Sequence, residues 1–230
     1  MLVLFDIDGT LLKTRGAGMR AMLAAASALH MGASFSFDGI DISGRLDTLI
    51  WRDLLAKGGV DPTASDHASF RALYGEHLRR EFDSTSRSEA LAGAQSLVVA
   101  LHANDRVALG LLTGNYEHTG RLKVARAGFD PTHFHFNAWA DDGASRRDLP
   151  PVAMERYGRS RGARVDPASV IIIGDTPSDI DCAHANGCRA IAVATGVHPR
   201  DELASHAPEL LVDDLSETEA IAQWITETEG

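Results

Sequence analysis

Met1-Leu-Val-Leu-Phe-Asp-Ile-Asp-Gly-Thr-Leu-Leu12 decides how the rest of the chain is read. Met1 to Phe5 are uninterrupted apolar residues, the pattern of a short buried strand. Asp6 and Asp8 follow at once, then Gly9 and Thr10. A carboxylate at the end of a buried strand is costly unless something pairs with it. Asp8-Gly9 taken alone reads as the start of a turn. The meaning of the two aspartates therefore rests on what other segments bring to the same place.

Downstream of this strand the periodicity is helical. Met19, Met22, Leu23, Ala26 and Leu29 form one stripe. Leu46, Leu49, Ile50, Leu54 and Leu55 form a second, which stops at Gly58-Gly59. Phe70, Leu73, Tyr74, His77, Leu78 and Phe82 form a third. Such stripes predict helix faces turned toward a core, and no strand-like run falls between Leu12 and Arg87. From Ser88 onward the pattern alternates. Strands are expected at 107–112, 134–138, 170–173, 190–193 and 210–212, and helices at 96–103, 116–127, 151–161 and 177–186. Ser216 and Glu219 form a capping-box pattern ahead of the last helix. Alternation of this kind predicts an α/β fold, a Rossmann-like and mainly parallel sheet covered by helices on both faces. The expected division is a core of residues 1–13 and 88–230 and an inserted all-helical cap of residues 14–87.

Composition narrows the function classes. With 230 residues, 44% of them hydrophobic and 23% charged, the chain suits one large folded domain or one domain with an insert. A net charge of −10 opposes binding to nucleic acid or to an anionic membrane. An anionic substrate must then be drawn in by local cations or a metal. Asp6 and Asp8 interrupt the only apolar start, and no apolar run approaches the roughly 20 residues of a membrane helix, so a cytoplasmic location is expected. Cys182 and Cys188 are too few for a disulfide framework and read as buried thiols. Monomer and homodimer both stay open.

In an open parallel sheet, ligands bind beyond the carboxyl ends of the strands. Strand one ends in Asp6-Ile-Asp8, a second in Thr113-Gly114-Asn115, and a third in Gly174-Asp175-Thr176-Pro177-Ser178-Asp179. Four carboxylates at one edge repel one another unless a cation lies among them. An all-oxygen donor set points to a hard metal, magnesium by default. Each segment also has an ordinary role open to it. Thr113-Gly114-Asn115 can be a turn before a helix, and Asp179 can cap the next helix from N3, with Thr176 as N-cap and Pro177 at N1.

In order and spacing, Asp6-Ile-Asp8-Gly9-Thr10, Thr113-Gly114-Asn115 and Gly174-Asp175 to Asp179 resemble motifs I, II and IV of the haloacid dehalogenase (HAD) superfamily. A helical cap between the first two extends the resemblance over essentially the whole chain, toward phosphoglycolate-phosphatase-like members. The resemblance implies a magnesium-dependent phosphatase on a small phosphorylated metabolite. Asp6 is then the nucleophile that forms an aspartyl-phosphate, and Asp8 the general acid and base. The Asp6 carboxylate, the Asp8 backbone carbonyl and Asp175 hold the metal, with Asp179 behind them. Thr113 and the amides of Gly114 and Asn115 bind phosphate at a helix start. The departure is motif III, where the family usually has lysine. Arg146 is the expected replacement, with Arg147 second and Lys123 a more remote choice. Ser43-Gly44-Arg45 resembles the cap loop that closes over substrate, which would let Arg45 touch it. Gly16 and Gly18 are expected at the hinge side of the cap, and His118 near motif II.

The same resemblance admits a phosphomutase, which shares the core residues. It also admits a phosphonate hydrolase, for which Lys13 and Lys57 are the only lysines in or near the cap, and a regulatory or binding protein that keeps the fold. A dehalogenase needs neither Asp8 nor a metal.

Overall fold

The structure, a computed structural model, describes residues 1–84 and 88–227. Arg87, where the helical insert is expected to end, lies outside them. The chain runs through β1 (Leu2–Phe5), β2 (Leu12–Lys13), α1 (Ala17–Leu29), α2 (Asp47–Lys57), α3 (Ala64–Ser84) and β3 (Glu89–Ala90). It continues through α4 (Ala94–His102), β4 (Ala108–Leu111), α5 (Glu117–Arg126), α6 (Leu149–Arg161) and β5 (Val170–Gly174). It ends with α7 (Pro177–Ala185), β6 (Arg189–Val193), α8 (Arg200–Ser205), β7 (Leu210–Val212) and α9 (Thr218–Glu227).

Five strands form one sheet in the order β4-β1-β5-β6-β7, and every pair in it is parallel. Leu2 and Leu4 pack on one face with Val170, Ile172, Ala190 and Ala192. Val3 and Phe5 pack on the other with Ile171, Ile173, Ile191 and Val193. Burial on both faces explains the unbroken apolar runs of β1 and β5. Phe5 stands level with Leu111 on one side and Ile173 on the other. The residues that follow β4, β1 and β5 therefore emerge together at one edge of the sheet, where the direction of strand connection reverses.

Between β2 and β3 lies the helical insert. Ala17, Gly18, Ala21, Ala25 and Ala26 are the small buried residues of α1, and Phe70, Tyr74, Leu78 and Phe82 are large ones at every fourth position of α3. Small residues facing large ones let α1 and α3 interdigitate. β2 and β3, the two connections to the insert, pair antiparallel, with Leu12 opposite Ala90 and Lys13 opposite Glu89. Arg15 reinforces the ribbon by donating to Glu89 from Nη2 at 2.8 Å. Arg15 and Gly16 both take left-handed backbone angles (φ 51° and 79°), turning the chain into α1.

Three expectations need correction. Residues 134–138 form no strand, only a bridge from Ala138 to Leu112. Asn137 Oδ1 accepts the Leu111 amide at 2.8 Å, so a side chain stands where a strand would offer its backbone carbonyl. The last helix begins at Thr218, because the Ser216 amide is taken by the Asp214 carboxylate at 2.7 Å. Met19 is not core-facing: it is 38% exposed and borders a cavity.

Candidate active site

Asp6 follows β1, which lies between β4 and β5, with Thr113 beyond β4 on one side and Asp175 directly after β5 on the other. Its amide still donates to the Ile173 carbonyl at 2.9 Å, so β1 fixes its backbone. Asp6, Asp175 and Asp179 are buried, and one carboxylate oxygen of each lies within 4.8 Å of the others. Asp175 accepts from the Thr10 hydroxyl at 3.0 Å. Gly9 makes room for it: a Cβ there would lie 2.2 Å from Asp175 Oδ2.

Arg146 enters this cluster from a 3₁₀ turn, Arg146–Asp148, ahead of α6. Its Nη2 is 3.0 Å from Asp6 Oδ1 and also donates to Asp179 Oδ1. Asp179 accepts from the Thr176 amide and hydroxyl on its other oxygen, at 3.1 and 2.7 Å, completing a capping box on α7. Asp179 thus caps α7 with one oxygen and pairs with the Arg146 guanidinium through the other. Arg147 is exposed.

Burial pushes the Asp6 carboxyl up against the pull of Arg146, and the neighbouring acids push it further. Burial raises Asp175 as well, followed by repulsion from Asp6 and Asp179. Burial disfavours the Arg146 charge, but Asp179 and Asp6 outweigh it and hold the guanidinium firmly protonated. Three carboxylates against one guanidinium leave negative charge uncompensated in an all-oxygen site. This donor set fits a hard divalent cation.

A second network holds Asp8. Lys123 Nζ and Asn115 Nδ2 both donate to Asp8 Oδ2, at 2.6 and 2.9 Å. Lys123 also donates to Asn115 Oδ1 at 2.6 Å, and Asn115 Nδ2 to Thr113 Oγ1 at 2.8 Å. Lys123 is buried on α5, eight residues beyond Asn115 and four beyond the buried Thr119. Thr119 and Lys123, four apart, share one face of α5, and that spacing was the available sequence signal for the place of Lys123 here.

Asp47, at the start of α2, was not anticipated. Its amide donates to the Gly114 carbonyl at 2.6 Å, and its carboxylate accepts the Tyr116 amide at 3.0 Å. As an acid in the first turn of a helix it looked ordinary. Burial pushes its carboxyl up to about 7, with Lys123 opposing. The insert meets the motif II turn so closely that a Cβ on Gly114 would lie 2.0 Å from the Arg45 carbonyl oxygen. Ser43 Oγ and His198 Nε2, 2.9 Å apart, join the insert to the loop after β6, and Glu202 holds His198 Nδ1 at 3.1 Å.

Between insert and sheet edge lies a cavity of about 440 Å³, bordered by Asp6, Asp8, Thr113, Asn115, Arg146 and Asp175. Arg45 also borders it, but its guanidinium is held by Asp53 at 2.7 Å and the Asp41 carbonyl at 2.9 Å. His118 turns to the Arg71 carbonyl, 2.9 Å away on α3. Gly16 and Gly18 both border the cavity, Gly16 at the turn into α1 and Gly18 near Lys123. Cys182 and Cys188 are free and buried, and burial pushes both thiols up to about 12.

Residues 146–218 match the family model described as HAD-hydrolase-like. The probable phosphatase IndB of Dickeya dadantii is 27% identical over 94% of this chain and 90% of its own length. The phosphoglycolate phosphatase of Synechococcus elongatus is 25% identical over 94% of this chain and 93% of its own. A crystal structure of β-phosphoglucomutase from Clostridium difficile superposes with a TM-score of 0.72 at 16% identity, covering 98% of this chain and 97% of that one. With aspartates at adjacent strand ends and a helical insert after the first strand, the chain is similar to the HAD-like hydrolases over residues 146–218 and to a phosphoglycolate phosphatase over 94% of its length.

Proposed function

We propose that this protein is a magnesium-dependent phosphatase that cleaves a small phosphorylated metabolite through an aspartyl-phosphate. The reading rests above all on Asp6, whose carboxylate follows β1 and lies beside Arg146 and the buried Asp175 and Asp179. Residues 14–87 act as the cap and residues 1–13 and 88–230 as the core.

Asp6, Asp175 and the Asp8 carbonyl would hold the ion, with Asp179 supporting the site through Arg146. When bound, magnesium neutralises carboxylate and phosphate charge and so favours their approach. Thr113 Oγ1 accepts from Asn115, which leaves its own proton for a phosphate oxygen. The motif II turn presents its backbone ahead of α5, where an anion is favoured. Arg146 places a fixed positive charge beside the attacking oxygen.

Asp6 attacks phosphorus, the bond to the leaving oxygen breaks, and protonated Asp8 gives its proton to that oxygen. Water then attacks the phosphoryl group, Asp8 takes the proton back, and Asp6 is released with inorganic phosphate. Lys123 and Asn115 both occupy Asp8 Oδ2, which leaves Oδ1 for these transfers. Such proton transfer is worth about 10²–10⁴-fold.

The test is hydrolysis of an aryl phosphate with magnesium, with EDTA, and by Asp6→Asn. The expected result is activity only in the native chain with magnesium. Turnover that survives both EDTA and the substitution would sink the mechanism.

A further inference from the structure

Part of the cavity wall is apolar. Met19 and Met22 come from α1, Ile50 from α2, Phe37 and Ile42 from the loop between them, and Val197 from the loop after β6. Among the described residues four large apolar side chains are exposed, and two of them, Met19 and Val197, stand at this cavity.

Most of the charged groups around that wall are engaged elsewhere. Arg45 is paired with Asp53, Arg15 with Glu89, Lys123 with Asp8, and Arg146 with Asp6 and Asp179. Ser43 faces His198, and the Asp47 carboxylate accepts from Tyr116. Lys13, the other cation bordering the cavity, is exposed. A carboxylate or second phosphate on the leaving group would meet committed cations except at Lys13, and sugar hydroxyls would meet partners already hydrogen-bonded or ion-paired. Unmatched polar groups in a closed site weigh heavily against a ligand, whereas methylene groups gain from an apolar wall.

We propose that the leaving-group pocket selects phosphate monoesters of uncharged, apolar alcohols, alkyl or arylalkyl, over phosphoglycolate and phosphosugars. The proposal rests on the phosphatase reading and narrows its substrate class. Leaving-group chemistry does not favour such esters, because an alkyl alcohol departs no more readily than glycolate. Preference for them is therefore a signature of binding.

Two measurements with magnesium present test it. In the first, kcat/KM is compared for butyl and benzyl phosphate against phosphoglycolate, glycerol phosphate and glucose 1-phosphate. The expected preference for the apolar esters is at least tenfold. Met19→Ser and Val197→Ser, both at exposed positions, should raise KM for butyl phosphate about 3- to 10-fold with little change in kcat. Equal or higher kcat/KM for phosphoglycolate or glucose 1-phosphate overturns the proposal, and loss of that activity in Lys13→Ala would assign recognition to Lys13. In the second, calorimetry compares hexylphosphonate with phosphonoacetate, neither of which can be hydrolysed as an ester. Tighter binding of hexylphosphonate supports the pocket assignment even if no ester is turned over, in which case only the phosphatase reading falls. Tighter binding of phosphonoacetate overturns the pocket assignment whatever the turnover.

Discussion

Arg146 holds Asp6 and Asp179 with one guanidinium, so its removal leaves two buried carboxylates facing each other. Arg146→Ala should lower kcat by about 10²–10³-fold, because a fixed charge at the reacting group is lost. It should also destabilise the metal-free fold by about 3–5 kcal/mol in urea titrations, as expected for a broken buried pair. Asp47 behaves differently. Its carboxyl is pushed by burial from the ordinary 3.8 up to about 7, so the folded state prefers it protonated. The stability it contributes is complete below about pH 4 and is lost as the pH rises through 7. Asp47→Asn keeps an oxygen for the Tyr116 amide and removes that titration. Its Tm, measured against the native chain, should therefore gain between pH 5 and pH 8. Asp6, Asp8, Thr113 and Asp175 could be picked out before folding because they stand directly at strand ends. Asp47 could not, since its partner at Tyr116 lies 69 positions away.

At the scale of elements, the contact between the loop ahead of α2 and the turn ahead of α5 is set by a missing side chain. Gly114→Ala would drive a Cβ into the Arg45 carbonyl and lift the loop. kcat/KM should fall at least about tenfold, as 1 Å misplacements in active sites do. Far-UV circular dichroism should be unchanged, because the sheet and its two apolar faces are untouched. Helices and buried strands were legible here wherever periodicity and burial agree: β5 and α7 start where expected, β1 ends where expected, and β7 matches at both ends. Residues 134–138 misled because their apolar content resembles a strand, while Asn137 supplies the edge bond from its side chain. The difference lies in one amide oxygen, which hydrophobic patterning does not register.

Over the whole molecule, the buried acids make the metal-free protein sensitive to protons. Burial raises both Asp6 and Asp175, so protons compete with a divalent cation at the same oxygens. Thermal unfolding with and without millimolar magnesium should show a larger rise in Tm at pH 8 than at pH 5.5, since a ligand that binds only the folded state stabilises by mass action. An equal rise at both pH values would count against those carboxylates as the ligands. The two-stranded ribbon of β2 and β3 bears on the molecule in another way. Leu12 and Lys13 run back against Ala90 and Glu89 as the two legs of a hairpin. The whole helical insert thus occupies the position of that hairpin's turn. Loop closure grows only slowly with length, so a large turn is tolerated almost as easily as a small one. Helices can accordingly be lengthened, exchanged or trimmed at this point without re-threading a single strand, and a new leaving-group pocket needs no new fold beneath it.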